Sequence, residues 1–131
     1  MSFAQFGLLE PILKSIKEAG YTSPTSIQKQ IIPLVLSGRD IMASASTGTG
    51  KTAAFSLPIL HKLYQKKKQK RFSATLALIL LPTRELALQV KTNIDNYANH
   101  LPFKTAIIHG GVNKSAQEKV LKEGVDIVIA T

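Results

Sequence analysis

The residues Ala45-Ser46-Thr47-Gly48-Thr49-Gly50-Lys51-Thr52 have the types and the spacing to bind a phosphorylated ligand. Two glycines let the backbone curl until successive N–H groups converge on one anionic centre, and a helix starting there adds the positive end of its dipole. Lys51 supplies a full charge placed for β- and γ-phosphates, and Thr52 a hydroxyl that can hold the Mg2+ bridging them, as in the Walker A pattern. That pattern opens on Gly. Here Ala45 stands in its place, which restricts one corner of the loop but leaves Gly48 and Gly50 for the tight part of the turn. A second candidate is the run Pro82-Thr83-Arg84-Glu85-Leu86-Ala87-Leu88-Gln89. Thr83 suits a helix N-cap and Glu85 the first turn, but capping does not account for Arg84, whose guanidinium beside free helix N–H groups makes a second anion site. Gly110-Gly111 would let a ligand approach the backbone closely, although a plain turn explains that pair nearly as well.

These residues work only if strands and helices hold them, and the rest of the chain reads that way. Asp40 to Ser44 is expected to be a short buried strand feeding the phosphate loop. The helix that follows carries Ala54, Leu57, Ile59, Leu60 and Leu63, with Pro58 a kink, and closes on the basic run Lys66 to Arg71. Cations at a helix C-terminus are favoured by its dipole, so the run reads first as a solvated helix end and second as an auxiliary RNA contact. Further strands are expected at Thr75 to Leu81, covered on both faces, at Thr105 to Ile108 and at Asp126 to Ala130. Helices separate them: Thr83 to about Ala98, with Leu86, Val90, Ile94 and Tyr97 on one face, and Ser115 to Leu121. Upstream, Leu9, Ile12, Leu13, Ile16 and Ala19 mark an amphipathic helix within Phe3 to Gly20. A second helix carries Ile27, Ile31 and Ile32, is kinked or split at Pro33 and stops at Gly38. The alternation argues for an α/β fold with a parallel sheet and flanking helices.

Composition narrows the partners. Seventeen Lys and Arg against eight Asp and Glu give a formal charge of +9, which points to a polyanion without proving one. There is no cysteine, and His61, His100 and His109 lack metal-ligand spacing, so a metal held by such groups is not expected. No apolar run approaches membrane-spanning length and no signal pattern precedes Phe3, so a soluble, cytoplasmic protein is expected.

Taken in order, the motifs resemble the first RecA-like domain of a DEAD-box ATP-dependent RNA helicase, over essentially the whole chain. Phe3, Gly20-Tyr21, Pro24-Thr25 and Ile27-Gln28 are similar to the family's adenine-sensing Q motif. Ala45 to Thr52 is similar to its motif I, which begins with Ala, Pro82 to Gln89 to its motif Ia, and Gly110-Gly111 to its GG element. The wording of Phe6-Gly7-Leu8, Gly38-Arg39-Asp40 and Thr47 to Phe55 is closest to the bacterial RhlE-type branch. The resemblance implies residues 1–38 as a helical segment with the Q motif and 39–131 as a partial RecA-like domain. It implies ATP with Mg2+ as cofactors, contacted by Phe3, Tyr21, Gln28, Ser46, Thr47, Gly48, Thr49, Gly50, Lys51 and Thr52. Of these, Lys51 and Thr52 would be catalytic and Thr52 would ligate the metal. It also implies an RNA backbone on Pro82, Thr83, Arg84, Gly110 and Gly111, and a second RecA-like domain as partner.

Gln28 offers a donor and an acceptor to an adenine edge, with Phe3 or Tyr21 packing nearby. The family's D-E-A-D carboxylates and S-A-T motif do not occur in these residues, so the 131-residue stretch alone is expected to bind nucleotide or RNA without hydrolysis. Strands beyond Thr131 are expected to lie beside the phosphate-loop strand, so this stretch alone would expose sheet edges and self-associate. A small-molecule kinase built on the same loop is the competing enzyme class, but it has no use for the aromatic-Gly-Tyr-Pro-Thr-Gln pattern upstream.

Overall fold

The computed structural model describes residues 1–69 and 74–131. Lys70 and Arg71, the end of the basic run, lie outside the described residues. Three parallel strands form the sheet: β1 (Ala77–Leu80), β2 (Thr105–Ile108) and β3 (Ile127–Ala130), in the order β1-β3-β2. Ala77 pairs with Ile127 and Thr105 with Ile127, so the last strand sits in the middle and is hydrogen-bonded on both edges. Helices occupy the connections: α1 (Glu10–Glu18), α2 (Ser26–Leu36), α3 (Lys51–Gln69), α4 (Arg84–Tyr97) and α5 (Lys114–Glu123). The architecture is α/β, a parallel sheet with flanking helices.

Side-chain alternation on β3 divides the apolar interior. Ile127 and Ile129 face the larger cluster, where they join Ile12 and Ile16 of α1, Ile32 of α2, Leu57 and Leu60 of α3 and Val90 and Ile94 of α4. Val128 joins Ala106 and Val125 in a smaller cluster on the opposite face. The C-terminal end of α3 is tied to the sheet by a charge pair. Lys67 Nζ lies 3.0 and 3.1 Å from the carboxylate oxygens of buried Asp126 and donates to the Pro102 carbonyl at 2.7 Å. Asp126 also accepts the Lys104 N–H at 2.8 Å, so its charge is met from two sides.

Several expectations are corrected. Residues 40–44 form no strand: they make no described backbone–backbone hydrogen bond, the last before them being from the Arg39 N–H to the Leu34 carbonyl at 3.2 Å. A ladder requires a hydrogen-bonded neighbour, and none of the described residues pairs with this segment. β1 is not covered on both faces, because Leu78 and Leu80 are 61% and 70% exposed while α5 packs against β2. The first helix is broken into a 3-10 turn at Phe3–Phe6 and α1, with Gly7 left-handed between them, and Ala19 is exposed. Neither Pro33 nor Pro58 splits its helix. On α4, Leu86 is 40% exposed and Ala87 takes the buried position beside Val90.

Candidate functional site

The phosphate-type loop sits where extended backbone gives way to α3. Gly48 and Gly50 have φ of 80° and 85°, a conformation costly for any residue with a Cβ. Among the described residues, none of the backbone N–H groups from Ser46 to Ala53 donates a hydrogen bond, so a row of donors converges at the start of the helix. The loop is braced from within. Thr49 Oγ1 donates to the Ser46 carbonyl at 2.7 Å, and Lys51 Nζ folds back onto the Ala45 carbonyl at 2.7 Å. The Thr52 hydroxyl has no described partner. Free N–H donors, an exposed ammonium and an uncommitted hydroxyl are the donor set that a Mg2+-bound polyphosphate requires.

The second brace comes from α2. Thr25 is its N-cap and forms a capping box with Gln28. Thr25 Oγ1 donates to the Thr49 carbonyl at 2.8 Å, and Gln28 Nε2 donates to the Gly50 carbonyl at 3.2 Å while its Oε1 accepts the Thr25 N–H at 2.9 Å. Gln28 is 3% exposed, yet it has two donors and two acceptor lone pairs, so one donor and one acceptor remain. Approach to Gly50 is tight: a Cβ added there would lie 2.4 Å from Gln28 Nε2.

Tyr21, Gln28, Gly48, Gly50, Lys51 and Thr52 line one open cleft of about 820 Å3, whose far wall is Gln89, Asn93 and Tyr97 of α4. Its size suits a nucleotide-sized ligand. Tyr21, 42% exposed, meets the Tyr97 hydroxyl at 3.1 Å, with ring centroids 6.2 Å apart. Burial, and after it the bond to Tyr21, push the Tyr97 hydroxyl well above the usual tyrosine range, so it stays protonated and available as a donor. Ser46 and Thr49 face a neighbouring hollow with Thr25 and Ser26.

Phe3 is not in the cleft. It is 5% exposed in the main apolar cluster, edge-on to Phe6 with centroids 6.2 Å apart, and has no ring face free for a base.

The other candidate residues converge on a second spot. Thr83 caps α4 by accepting the Leu86 N–H at 3.2 Å, which places exposed Pro82 and Arg84 at the N-terminus of the helix. Arg84 Nη2 donates to the Gly110 carbonyl at 2.5 Å, joining two motifs 26 residues apart. Gly111 is left-handed at φ 79°, and a Cβ there would fall 2.2 Å from Arg84 Nη2. A guanidinium with N–H groups to spare, beside free helix N–H groups and a bare glycine backbone, is suited to phosphodiester oxygens.

Sequence reasoning missed three parts of this arrangement. Gln89 and Asn93 face the cleft at helical spacing with Leu86, a polar row that its apolar neighbours obscured. Thr25 braces the loop, which nothing local to Thr25 announces. Gln117 of α5 holds the main chain of His109, accepting its N–H at 2.8 Å and donating to its carbonyl at 3.1 Å. Of the basic run, expected as a solvated end or an RNA contact, Lys67 is engaged with Asp126, while Lys66 and Lys68 are exposed in the last turn of α3, Lys68 over the Tyr64 ring at 4.7 Å. Among the described residues, no cluster of three or more His, Cys, Asp or Glu could hold a metal, and no helix is long and apolar enough to cross a membrane.

The sequence profile of the DEAD/DEAH box helicases matches residues 25–131. The chain is 48% identical over 130 residues to DEAD-box ATP-dependent RNA helicase 28 of Arabidopsis thaliana, covering 99% of this chain and 16% of that protein. It is 46% identical over 133 residues to ATP-dependent RNA helicase DRS1 of Kluyveromyces lactis, covering 99% and 17%. It is 45% identical over 130 residues to DEAD-box ATP-dependent RNA helicase RhpA of Helicobacter pylori, covering 99% and 25%. The chain thus spans about a sixth to a quarter of the length of these relatives.

Proposed function

The chain belongs to the DEAD/DEAH box helicase family, and from that premise we propose that it serves an RNA-stimulated ATPase that separates short duplexes and remodels ribonucleoproteins. The observation that carries this reading is the hydrogen bond from Gln28 to the Gly50 carbonyl. It ties the segment suited to a base directly to the loop suited to phosphates. Adenine would be read by the remaining donor and acceptor of Gln28, with the exposed Tyr21 ring packing beside it. The phosphates would lie on the free N–H groups of residues 46–53, with Lys51 on the β- and γ-phosphates and the Thr52 hydroxyl on Mg2+. That ion would neutralise charge on the phosphates. Lys51 acts by holding charge and position, and the cleft wall of Gln89, Asn93 and Tyr97 restricts water from one side.

RNA would cross Pro82, Thr83, Arg84, Gly110 and Gly111, held by its backbone and therefore without sequence preference. The formal charge of +9 supports this through counterion release. A second RecA-like domain would face the nucleotide from the other side, and the cytoplasm is the compartment that goes with the reading. Hydrolysis also needs a carboxylate to orient water. The reading carries with it binding without turnover for residues 1–131 alone, which contain no D-E-A-D run.

The test uses the full-length protein: ATP hydrolysis with and without single-stranded RNAs of unrelated sequence, and competition of ADP against GDP. Stimulation by every RNA and a preference for ADP are expected. Equal affinity for ADP and GDP, or stimulation by one sequence only, would refute the reading.

A further inference from the structure

Every residue of α5 is exposed except Gln117, so the one side chain this helix turns inward is a primary amide. Its target is the main chain just past β2. Peptide groups of successive strand residues point to opposite edges, and the Ile108 carbonyl is taken by the Thr131 N–H on the β3 side. The N–H and C=O of His109 therefore face the open edge of the sheet, where Gln117 accepts from one at 2.8 Å and donates to the other at 3.1 Å. A primary amide carries the same donor and acceptor as a peptide unit, so Gln117 fills the place of a neighbouring strand for one residue.

What this fixes is the start of the Gly110-Gly111 turn. Two residues without Cβ have no steric reason to hold one conformation. Yet the Gly110 carbonyl receives Arg84 at 2.5 Å, and Gly111 accommodates the guanidinium where a Cβ would lie 2.2 Å from Nη2. The N-cap of α5 is just beyond, where Asn113 Oδ1 accepts the N–H groups of Ser115 and Ala116 at 2.9 and 3.4 Å. The turn is thus clamped at His109 and capped at Asn113, with the glycines between.

We propose that Gln117 is the positioning residue for the RNA-facing pair formed by Arg84 and Gly110-Gly111. It touches no ligand: it anchors the end of β2 so that the Gly110 carbonyl stays where it holds the Arg84 guanidinium against the N-terminus of α4. The inference rests on the RNA reading above. Without the amide, His109's main-chain groups turn to water, the turn samples several conformations, and Arg84 loses its fixed acceptor. RNA affinity falls while the nucleotide cleft, lined by other elements, is untouched.

The experiment is done in the full-length protein with Gln117→Met, close in shape but unable to pair, and Gln117→Glu, which keeps only the acceptor for the His109 N–H. The readouts are the RNA concentration giving half-maximal ATPase stimulation, turnover at saturating RNA, and both in an Arg84→Ala background. Gln117→Met should raise the RNA requirement by about three- to tenfold, the loss expected for one or two net hydrogen bonds, with turnover at saturation retained. Gln117→Glu should fall between, and it serves if the Met variant does not fold. In the Arg84→Ala background the Met substitution should add less than about twofold, because both act on one contact. Reduced turnover at saturating RNA, or effects that multiply in full, would mean general loosening and overturn the inference. An unchanged RNA requirement in Gln117→Met beside a raised one in Arg84→Ala would overturn it alone. No change in Arg84→Ala would overturn the RNA reading beneath it as well.

Discussion

Replacing Gly50 by Ala tests whether base and phosphate recognition share one mechanical element. The substituted residue would hold φ near 85°, in the left-handed region, which costs an L-residue about 1–2 kcal/mol. Its Cβ would lie 2.4 Å from Gln28 Nε2 and 3.2 Å from Thr25 Oγ1, well inside contact distance. Gln28 must therefore move. Because it is 3% exposed, losing its bond to the Gly50 carbonyl leaves a buried donor unpaired, at about 1–3 kcal/mol. The loop should thus lose about 2–5 kcal/mol in its native conformation. Gly48→Ala is the control: it carries the same kind of strain at φ 80°, but no atom lies within 4 Å of its Cβ. Thermal unfolding without ligand, together with ADP and GDP affinities of the full-length protein, separates the two effects. Both variants should weaken ADP binding through strain in the phosphate loop, but only Gly50→Ala should bring the ADP and GDP affinities together. If both variants keep the same preference for ADP, displacement of Gln28 is not what links the two ends of the site.

Lys51→Ala should abolish detectable nucleotide binding by titration and leave the apo melting temperature nearly unchanged, since the ammonium is exposed on the Ala45 carbonyl and supports little else. Lys67→Met should lower stability by about 1–3 kcal/mol after allowing for a side chain 39% exposed, seen as a lower melting temperature, because it strips a buried carboxylate of its partner. The same variant should leave the salt dependence of RNA binding unchanged, and a shallower salt slope would return Lys67 to the RNA interface. His61 accepts the Leu9 N–H through Nδ1 at 3.2 Å and burial holds its pKa below the usual 6.5, so the fold favours the neutral ring. The stability it contributes is complete above pH 6.5 and is lost as pH falls from there through the lowered folded value, so His61→Gln should flatten that acid limb of a melting-temperature profile. Residues 1–131 alone should sediment as more than a monomer, through the uncovered β1 edge and residues 40–44; a monodisperse monomer with cooperative unfolding would contradict this.

What could be read from the chain was chemistry encoded within a few consecutive residues. The glycines and Lys51-Thr52 specify their loop locally, Thr83 specifies the start of α4, and the apolar runs at 105–108 and 126–130 specify strands, because each depends on neighbours in sequence. What could not be read depends on partners far along the chain. Residues 40–44 have the composition of a strand, but pairing is a property of two segments, and no described segment pairs with this one. Phe3 carries an aromatic ring that could stack on a base, yet a ring buried in the main apolar cluster against Phe6 gains more by burial, roughly 1.5–3 kcal/mol, than by waiting exposed for a ligand. Lys67 looks like the rest of a basic run and differs only because Asp126, 59 residues away, lies beneath it.

The amides are the sharpest instance. Gln28 and Gln117 are each a polar residue on a helix; sequence points Gln28 at a base and leaves Gln117 to solvent, and in neither case announces a main-chain partner. Each instead spends its side chain on main-chain groups of a glycine-containing turn, Gly50 in one case and His109 before Gly110 in the other. Glycine gives these turns the close approach that a phosphate needs, and for the same reason cannot fix their shape. An inward-turned amide, matching a peptide unit in both donor and acceptor, supplies the rigidity that the glycines lack. The two surfaces proposed for phosphates are therefore built on one physical rule, and substitutions at the two glutamines should fail in parallel: at Gln28 in nucleotide affinity, at Gln117 in RNA affinity, each sparing the other. A variant at either position that weakens both ligands equally would show that these surfaces are held by the fold as a whole and not by their separate amides.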